Sequence, residues 1–176
     1  SWTAITNAGT ARYYGAGFGI STSAIVAGGT APPTTSTTAA ELWNGSSWTA
    51  VASLPGTRSK AQAGGTTSEG CVFGGVGPPY YPGYPKLATK IDWNGSSWST
   101  SPASMATAKA FFGGAASSSP SVYATGGLTN GSPTYLASTE ELGLTIYSPI
   151  AATWASGANY PTGMNQLGGS GTQTAG

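Results

Sequence analysis

The stretch that decides the fold is Glu41-Leu42-Trp43-Asn44-Gly45-Ser46-Ser47-Trp48, which nearly recurs as Lys90-Ile91-Asp92-Trp93-Asn94-Gly95-Ser96-Ser97-Trp98. Each copy reads as a strand, a two-residue Asn-Gly turn and a second strand, the strongest short-range hairpin signal. Such a turn needs positive φ at both central residues, which Asn and Gly accept at little steric cost.

Working outward, Trp2, Trp48, Trp98 and Trp154 open similar stretches, spaced by 46, 50 and 56 residues. Recurrence of the same landmarks at spacings of this size marks a repeat architecture. After each Trp come a short apolar-alternating piece, a polar turn and a glycine cluster: Gly15-Ala16-Gly17, Gly64-Gly65, Gly113-Gly114 and Gly168-Gly169. A short hydrophobic strand comes next, ending in Gly28-Gly29, Gly74-Gly75 or Gly126-Gly127. Then come a variable loop and the hairpin, which in the third copy is reduced to Glu140-Glu141-Leu142-Gly143. Glycine interrupts every candidate helical window, so no helix is expected.

Each repeat therefore holds about four short strands, here named a to d, with b ending in the double glycine and c-d forming the hairpin. Four strands recurring with the same landmarks fit a propeller blade better than a sandwich. The expected fold is all-β: tandem four-stranded antiparallel blades, about three and a half of them, forming part of a β-propeller. The repeats cover residues 2–47, 48–97, 98–153 and a partial 154–176 within one region, 1–176. A closed ring needs at least about four blades. The chain is thus expected to belong to a longer protein or an open array, and to assemble with neighbours that cover its edges. It starts with Ser and shows no signal peptide, consistent with a processed chain or a segment.

The double Gly, acidic-apolar strand, Trp and Leu-Pro-x-x-x-Arg order resembles the kelch repeat. The fullest copy runs Gly28-Gly29, Glu41-Leu42-Trp43, Trp48, Leu54-Pro55-Gly56-Thr57-Arg58 and Phe73-Gly74-Gly75. Arg12 stands ten residues after Trp2 as Arg58 does after Trp48, whereas the next copy has Ala108-Lys109. The Trp-Asn-Gly-Ser-Ser-Trp variant, in a filling poor in charge and rich in Ala, Gly, Ser and Thr, further resembles kelch-like repeats in virion proteins of tailed phages. That resemblance implies a virion or extracellular setting.

Composition narrows the chemistry. Charged residues make up 6% of the chain and the net charge is +1. Without a basic patch, nucleic-acid binding by phosphate neutralisation is not expected. There is no His and one Cys, which removes a Ser-His-Asp or Cys-His arrangement, a structural zinc site and the copper chemistry of some kelch enzymes. No cofactor or metal is expected. No apolar run reaches the roughly 18 residues of a membrane span. Cys71, in Cys71-Val72-Phe73, reads as a small buried hydrophobe. Glu140 and Glu141 are adjacent on a strand, so they are expected to face opposite sides and not to form a hydrolytic pair. Glu41, Asp92 and Glu140 or Glu141 recur at similar repeat positions, and Arg58 is expected to pair with Glu41 or Asp92.

The structural anchors expected are Trp2, Trp48, Trp98, Trp154, Gly28, Gly29, Gly74, Gly75, Gly126, Gly127 and Arg58. Trp43 and Trp93, beside the turn, are open between packing and stacking on a ligand. The three Asn-Gly-Ser sequons, at Asn44, Asn94 and Asn130, read first as turns. The candidate binding element is the variable loop after strand b. In the second repeat it carries Tyr80, Tyr81 and Tyr84 among prolines, a composition that gives contact area at low entropic cost. The expected function is non-enzymatic: a structural or adhesive module of a phage virion (tail, fibre or capsid appendage) binding partner subunits or cell-surface glycan. A bacterial surface adhesin or filament subunit is the alternative, and a glycan-processing propeller enzyme a distant third.

Overall fold

A computed structural model describes residues 1–78, 84–118, 120–130 and 134–143. The chain divides into two units, Ser1–Leu144 and Thr145–Gly176. Trp154, Gly168-Gly169 and the partial fourth repeat lie outside the described residues.

The first unit is all-β, with no helix among the described residues. Strands β1 (Ala16–Ile20), β2 (Ser23–Ala27), β5 (Ala40–Trp43) and β6 (Trp48–Val51) form an antiparallel sheet in the order β1-β2-β5-β6. Strands β7 (Gln62–Gly65), β8 (Gly70–Phe73), β9 (Thr89–Trp93) and β10 (Trp98–Ser104) repeat that sheet. A third holds β11 (Gly113–Ser118), β12 (Ser121–Thr125) and β13 (Thr139–Leu142). One element was not expected from the sequence. The first variable loop folds back on itself as a ribbon of β3 (Thr30–Ala31) and β4 (Thr35–Ser36).

Burial follows the two-residue period of a pleated strand. In β2, Ile25 and Ala27 are buried while Ser23, Ala24 and Val26 are partly covered; in β12, Val122 and Ala124 are the buried pair. Two cores result. Phe18, Ile25, Leu54, Val72, Ile91 and Trp93 pack between the first and second sheets. Cys71, Phe73, Phe112, Val122 and Ala124 pack between the second and third. β1 lies against β7, and β7 against β11. A Cβ on Gly64 would come within 2.5 Å of the Ala116 backbone. The glycine cluster is therefore what lets these strands approach.

The hairpin differs in detail from its expected form. Trp43 partners Trp48, and Trp93 partners Trp98, so four residues turn each corner rather than two. Only the glycines are left-handed, with φ 94° at Gly45 and 93° at Gly95. Asn44 serves as an acceptor: its Oδ1 takes the backbone N–H of Ser46 and of Ser47, both at 2.9 Å. Asn94 does the same for Ser96 and Ser97. The side chain mimics a turn carbonyl, which is why Asn is needed there.

The tryptophans also redistribute. Trp43 and Trp93 are the buried members of each pair, and their indole N–H groups donate to Ser21 O at 3.0 Å and Thr67 O at 2.8 Å. Trp48 and Trp98 are half-buried and stack on them, with centroids 5.4 and 4.9 Å apart. Each reaches back to the preceding repeat, donating to Thr6 O and Ala52 O respectively. Trp2 is fully exposed and lies in no strand.

Cys71 is 0% exposed in the second core, and burial pushes its thiol up to about 11, outweighing nearby Lys90. The thiolate is the reactive form. Native protein at pH 8 should therefore react with a maleimide orders of magnitude more slowly than urea-unfolded protein. Equal rates would show that this core is open.

Candidate functional site

Three basic residues stand at one phase of the repeat and tie each sheet together from its entry loop. Arg12 Nη1 donates to Gly28 O at 3.0 Å and Ala39 O at 2.7 Å, and Nη2 pairs with Glu41. Arg58 Nη1 makes the equivalent bonds to Gly74 O and Thr89 O, both at 2.7 Å, and Nη2 donates to Thr89 Oγ1 at 2.6 Å. Lys109 pairs with Glu140 at 2.8 Å. Arg58 was expected to pair with Glu41 or Asp92; Glu41 pairs with Arg12, and Asp92 pairs with Lys90 on its own strand. The strand registers explain this. Trp43 and Trp93 correspond, so Ile91 rather than Asp92 occupies the Glu41 position.

The double glycines link one sheet to the next. Gly29 N–H donates to Arg58 O at 2.7 Å, and Gly75 N–H to Lys109 O at 2.9 Å. Each second glycine has φ above 90°. This anchoring role, expected of Gly28-Gly29 and Gly74-Gly75, fixes the position of the basic residues and of the two residues after each.

Two residues beyond each basic residue stand Tyr14, Lys60 and Phe111, all non-glycine residues in the left-handed region, with φ 57°, 57° and 56°. Left-handed bulky residues are uncommon and persist only where their surroundings hold them. Here a backbone chain does so: Lys60 N–H donates to Tyr14 O at 3.1 Å, and Phe111 N–H to Lys60 O at 3.4 Å. The side chains turn outward together. Tyr14 and Phe111 meet edge to face at 6.1 Å, and Tyr13 abuts Tyr14 at 5.0 Å. Lys60 Nζ lies over both rings, 5.1 Å from that of Tyr14 and 4.7 Å from that of Phe111.

The variable loops border the same cluster. Tyr84, half exposed and left-handed at φ 44°, places its ring 5.6 Å from Lys60 Nζ. Thr34 and Ser36 of the ribbon, with Thr30 and Ser59, complete a cavity of about 330 Å³ bounded by Tyr13, Tyr14, Lys60 and Tyr84. Asn130 of the third loop clasps the second, its Oδ1 accepting the Lys86 N–H at 2.7 Å. Burial and the charge of Lys86 both lower the pKa of Lys60.

Of the residues singled out from sequence, Tyr84 is thus brought to this cluster, whereas Tyr80 and Tyr81 lie outside the described residues. The sequence reading missed Tyr13, Tyr14, Lys60 and Phe111. The available signal was their shared phase: Arg12-Tyr13-Tyr14, Arg58-Ser59-Lys60 and Lys109-Ala110-Phe111. Along β13 Glu140 is half-buried and Glu141 exposed, the alternation of a pleated strand, so the two carboxylates take opposite faces as expected. Burial alone would raise the pKa of Glu140, but Lys109 and the N–H groups of Ala106 and Thr107 outweigh it and hold the carboxylate ionised. A general acid for glycoside cleavage needs the opposite shift.

No family model matches the chain, and no curated protein matches it. Among solved structures, 123 chains match the fold. One is titled "Structure of YjhT", with a TM-score of 0.62 and 16% identity over 76% of this chain and 42% of that one. The chain thus spans well under half the length of that protein, and the likeness is one of fold.

Proposed function

We propose that this chain is a non-enzymatic scaffold, part of a β-propeller of kelch-like blades, that presents one end of its sheets for binding on a virion. The carrying observation is the convergence of Tyr14, Lys60 and Phe111 from three successive repeats, with Tyr84 beside them, as an exposed aromatic cluster. Clustered exposed aromatics on a rigid frame mark an interaction surface. The propeller reading draws on the successive meander sheets, the packing of β1 on β7 and β7 on β11, and the likeness in fold to a longer chain, 42% of which the match covers. The virion reading draws on the charge-poor composition and the phage-like repeats; a tail, fibre or capsid appendage would use such a module toward a partner subunit or host glycan.

The test is attachment of fluorescently labelled protein to a panel of bacterial cells. Exchange of Tyr80, Tyr81 and Tyr84 for Ser should abolish attachment while leaving the unfolding midpoint unchanged. Attachment that survives the exchange, or that wild-type protein never shows on any cell, overturns the reading.

A further inference from the structure

Resting on that reading of the aromatic end, we infer that the cavity bounded by Tyr13, Tyr14, Lys60 and Tyr84 is a saccharide subsite selective for carboxylate-bearing sugars.

Three observations carry this. First, the lining combines flat aromatic rings with hydroxyls from Thr30, Thr34, Ser36 and Ser59. Rings offer faces for the apolar side of a pyranose, and hydroxyls offer both donors and acceptors for its hydroxyl groups. Second, the charge is one-sided. The charge of Lys86 acts on Lys60, and the described residues bordering the cavity include no acid. Of the five acids, Glu41, Asp92 and Glu140 are held by Arg12, Lys90 and Lys109. Glu69 is in the β7–β8 turn, at the end of the sheet opposite the variable loops, and Glu141 lies on β13. An incoming carboxylate would relieve the repulsion between the two ammonium groups and add a charge-assisted bond to Lys60. Third, the ammonium is already placed. The left-handed backbone of Lys60 is pinned on both sides by Tyr14 O and Phe111 N–H, and the side chain lies among three rings. Little ordering remains to be done on binding, which favours affinity. The volume of about 330 Å³ suits a sugar or two of a longer chain.

Isothermal titration of the whole chain with oligogalacturonate, with the neutral galactan oligosaccharide and with oligoglutamate tests the assignment. Oligogalacturonate should bind at low ionic strength, and the neutral sugar should bind at least about tenfold more weakly, the loss of one charge-assisted hydrogen bond. Lys60→Met should weaken oligogalacturonate about ten- to hundredfold, and Lys60→Arg should retain most of the affinity. The ring-deleting variants Tyr14→Asn and Phe111→Asn should also weaken binding. Asn accepts the left-handed region, so these variants relieve strain and keep the fold. Failure of wild type to bind oligogalacturonate overturns the inference, as does Lys60→Met binding unchanged. Equal, Lys60-dependent binding of oligoglutamate overturns it in favour of an acidic peptide. Cell attachment lost in the Tyr80, Tyr81 and Tyr84 variant, without any oligogalacturonate binding by wild type, leaves the binding-end reading intact and removes only this subsite.

Discussion

Gly75→Ala lowers the stability of the first unit by about 2–5 kcal/mol, combining a left-handed non-glycine residue with an overpacked contact. Gly75 has φ 91°, and a Cβ there would lie 2.5 Å from Ser59 O and 3.0 Å from Ala61 Cα. Both are backbone atoms and cannot rotate away. The same substitution pushes apart the Gly75 N–H···O Lys109 bond, so the damage falls on the joint between the second and third sheets. Against a total stability of about 5–15 kcal/mol for a domain, this is a large fraction. Gly56→Ala is the control: nothing lies within 4 Å of a Cβ there. It should change stability by less than about 0.5–1 kcal/mol, toward stabilisation, through a stiffer unfolded chain. Urea denaturation midpoints measure both. Equal midpoints for Gly75→Ala and wild type would mean that the second glycine is not a close-approach site.

Breaking the Arg12–Glu41 pair is the second large effect. Both side chains are 6% exposed, and the Glu41 carboxylate also accepts the Gly9 N–H at 2.6 Å and the Thr10 N–H at 3.1 Å. Glu41→Gln leaves a buried guanidinium without its acid and should cost about 3 kcal/mol, the low end for a broken buried pair. It falls at the low end because Arg12 keeps Gly28 O and Ala39 O. Exposed Glu141→Gln should stay within about 0.5 kcal/mol of wild type. The pair also sets an acid limit. Burial tends to raise the Glu41 pKa, but the Gly9 and Thr10 amides and Arg12 together bring it below 4.5; Glu140 is lowered likewise. A folded-state pKa below the unfolded one means that the unfolded chain binds more protons in between. Their contribution is therefore fully present above roughly pH 5 and is lost as pH falls through the depressed folded values. Stability measured from pH 7 to 3 should drop in that window for wild type, and less steeply for Glu41→Gln. Parallel curves for the two proteins would refute the assignment.

The repeat and its order of strands were legible because glycine pairs and Trp-Asn-Gly-Ser-Ser-Trp are local signals. Gly28-Gly29 and Gly74-Gly75 must be glycine wherever the chain passes that carbonyl, so the landmark survives while its neighbours vary. What stayed hidden depended on three-dimensional register. Asp92 looks like Glu41 in a linear scan, yet one residue along a strand turns a side chain to the other face. Trp48 and Trp98 repeat more visibly than Trp43 and Trp93, but the latter are the buried members of each pair. The ribbon β3–β4 has only two pairs and no alternation to announce it. Tyr14, Lys60 and Phe111 are not one residue type in a linear scan; their common left-handed backbone and hydrogen-bonded chain make them one cluster.

That left-handed position has a further meaning for how such a protein changes over generations. Its backbone is set by neighbouring sheets, and its side chain projects away from both cores. Tyrosine, lysine and phenylalanine already occupy it in successive repeats without altering the frame. Each repeat thus carries one freely rewritable letter on a shared surface. Duplication, loss or exchange of a repeat would re-spell the surface in a single genetic step and leave the glycine joints untouched. A lineage under pressure to recognise shifting targets could sample new specificities at a rate set by recombination between near-identical hairpins, rather than by the slower accumulation of compatible core mutations.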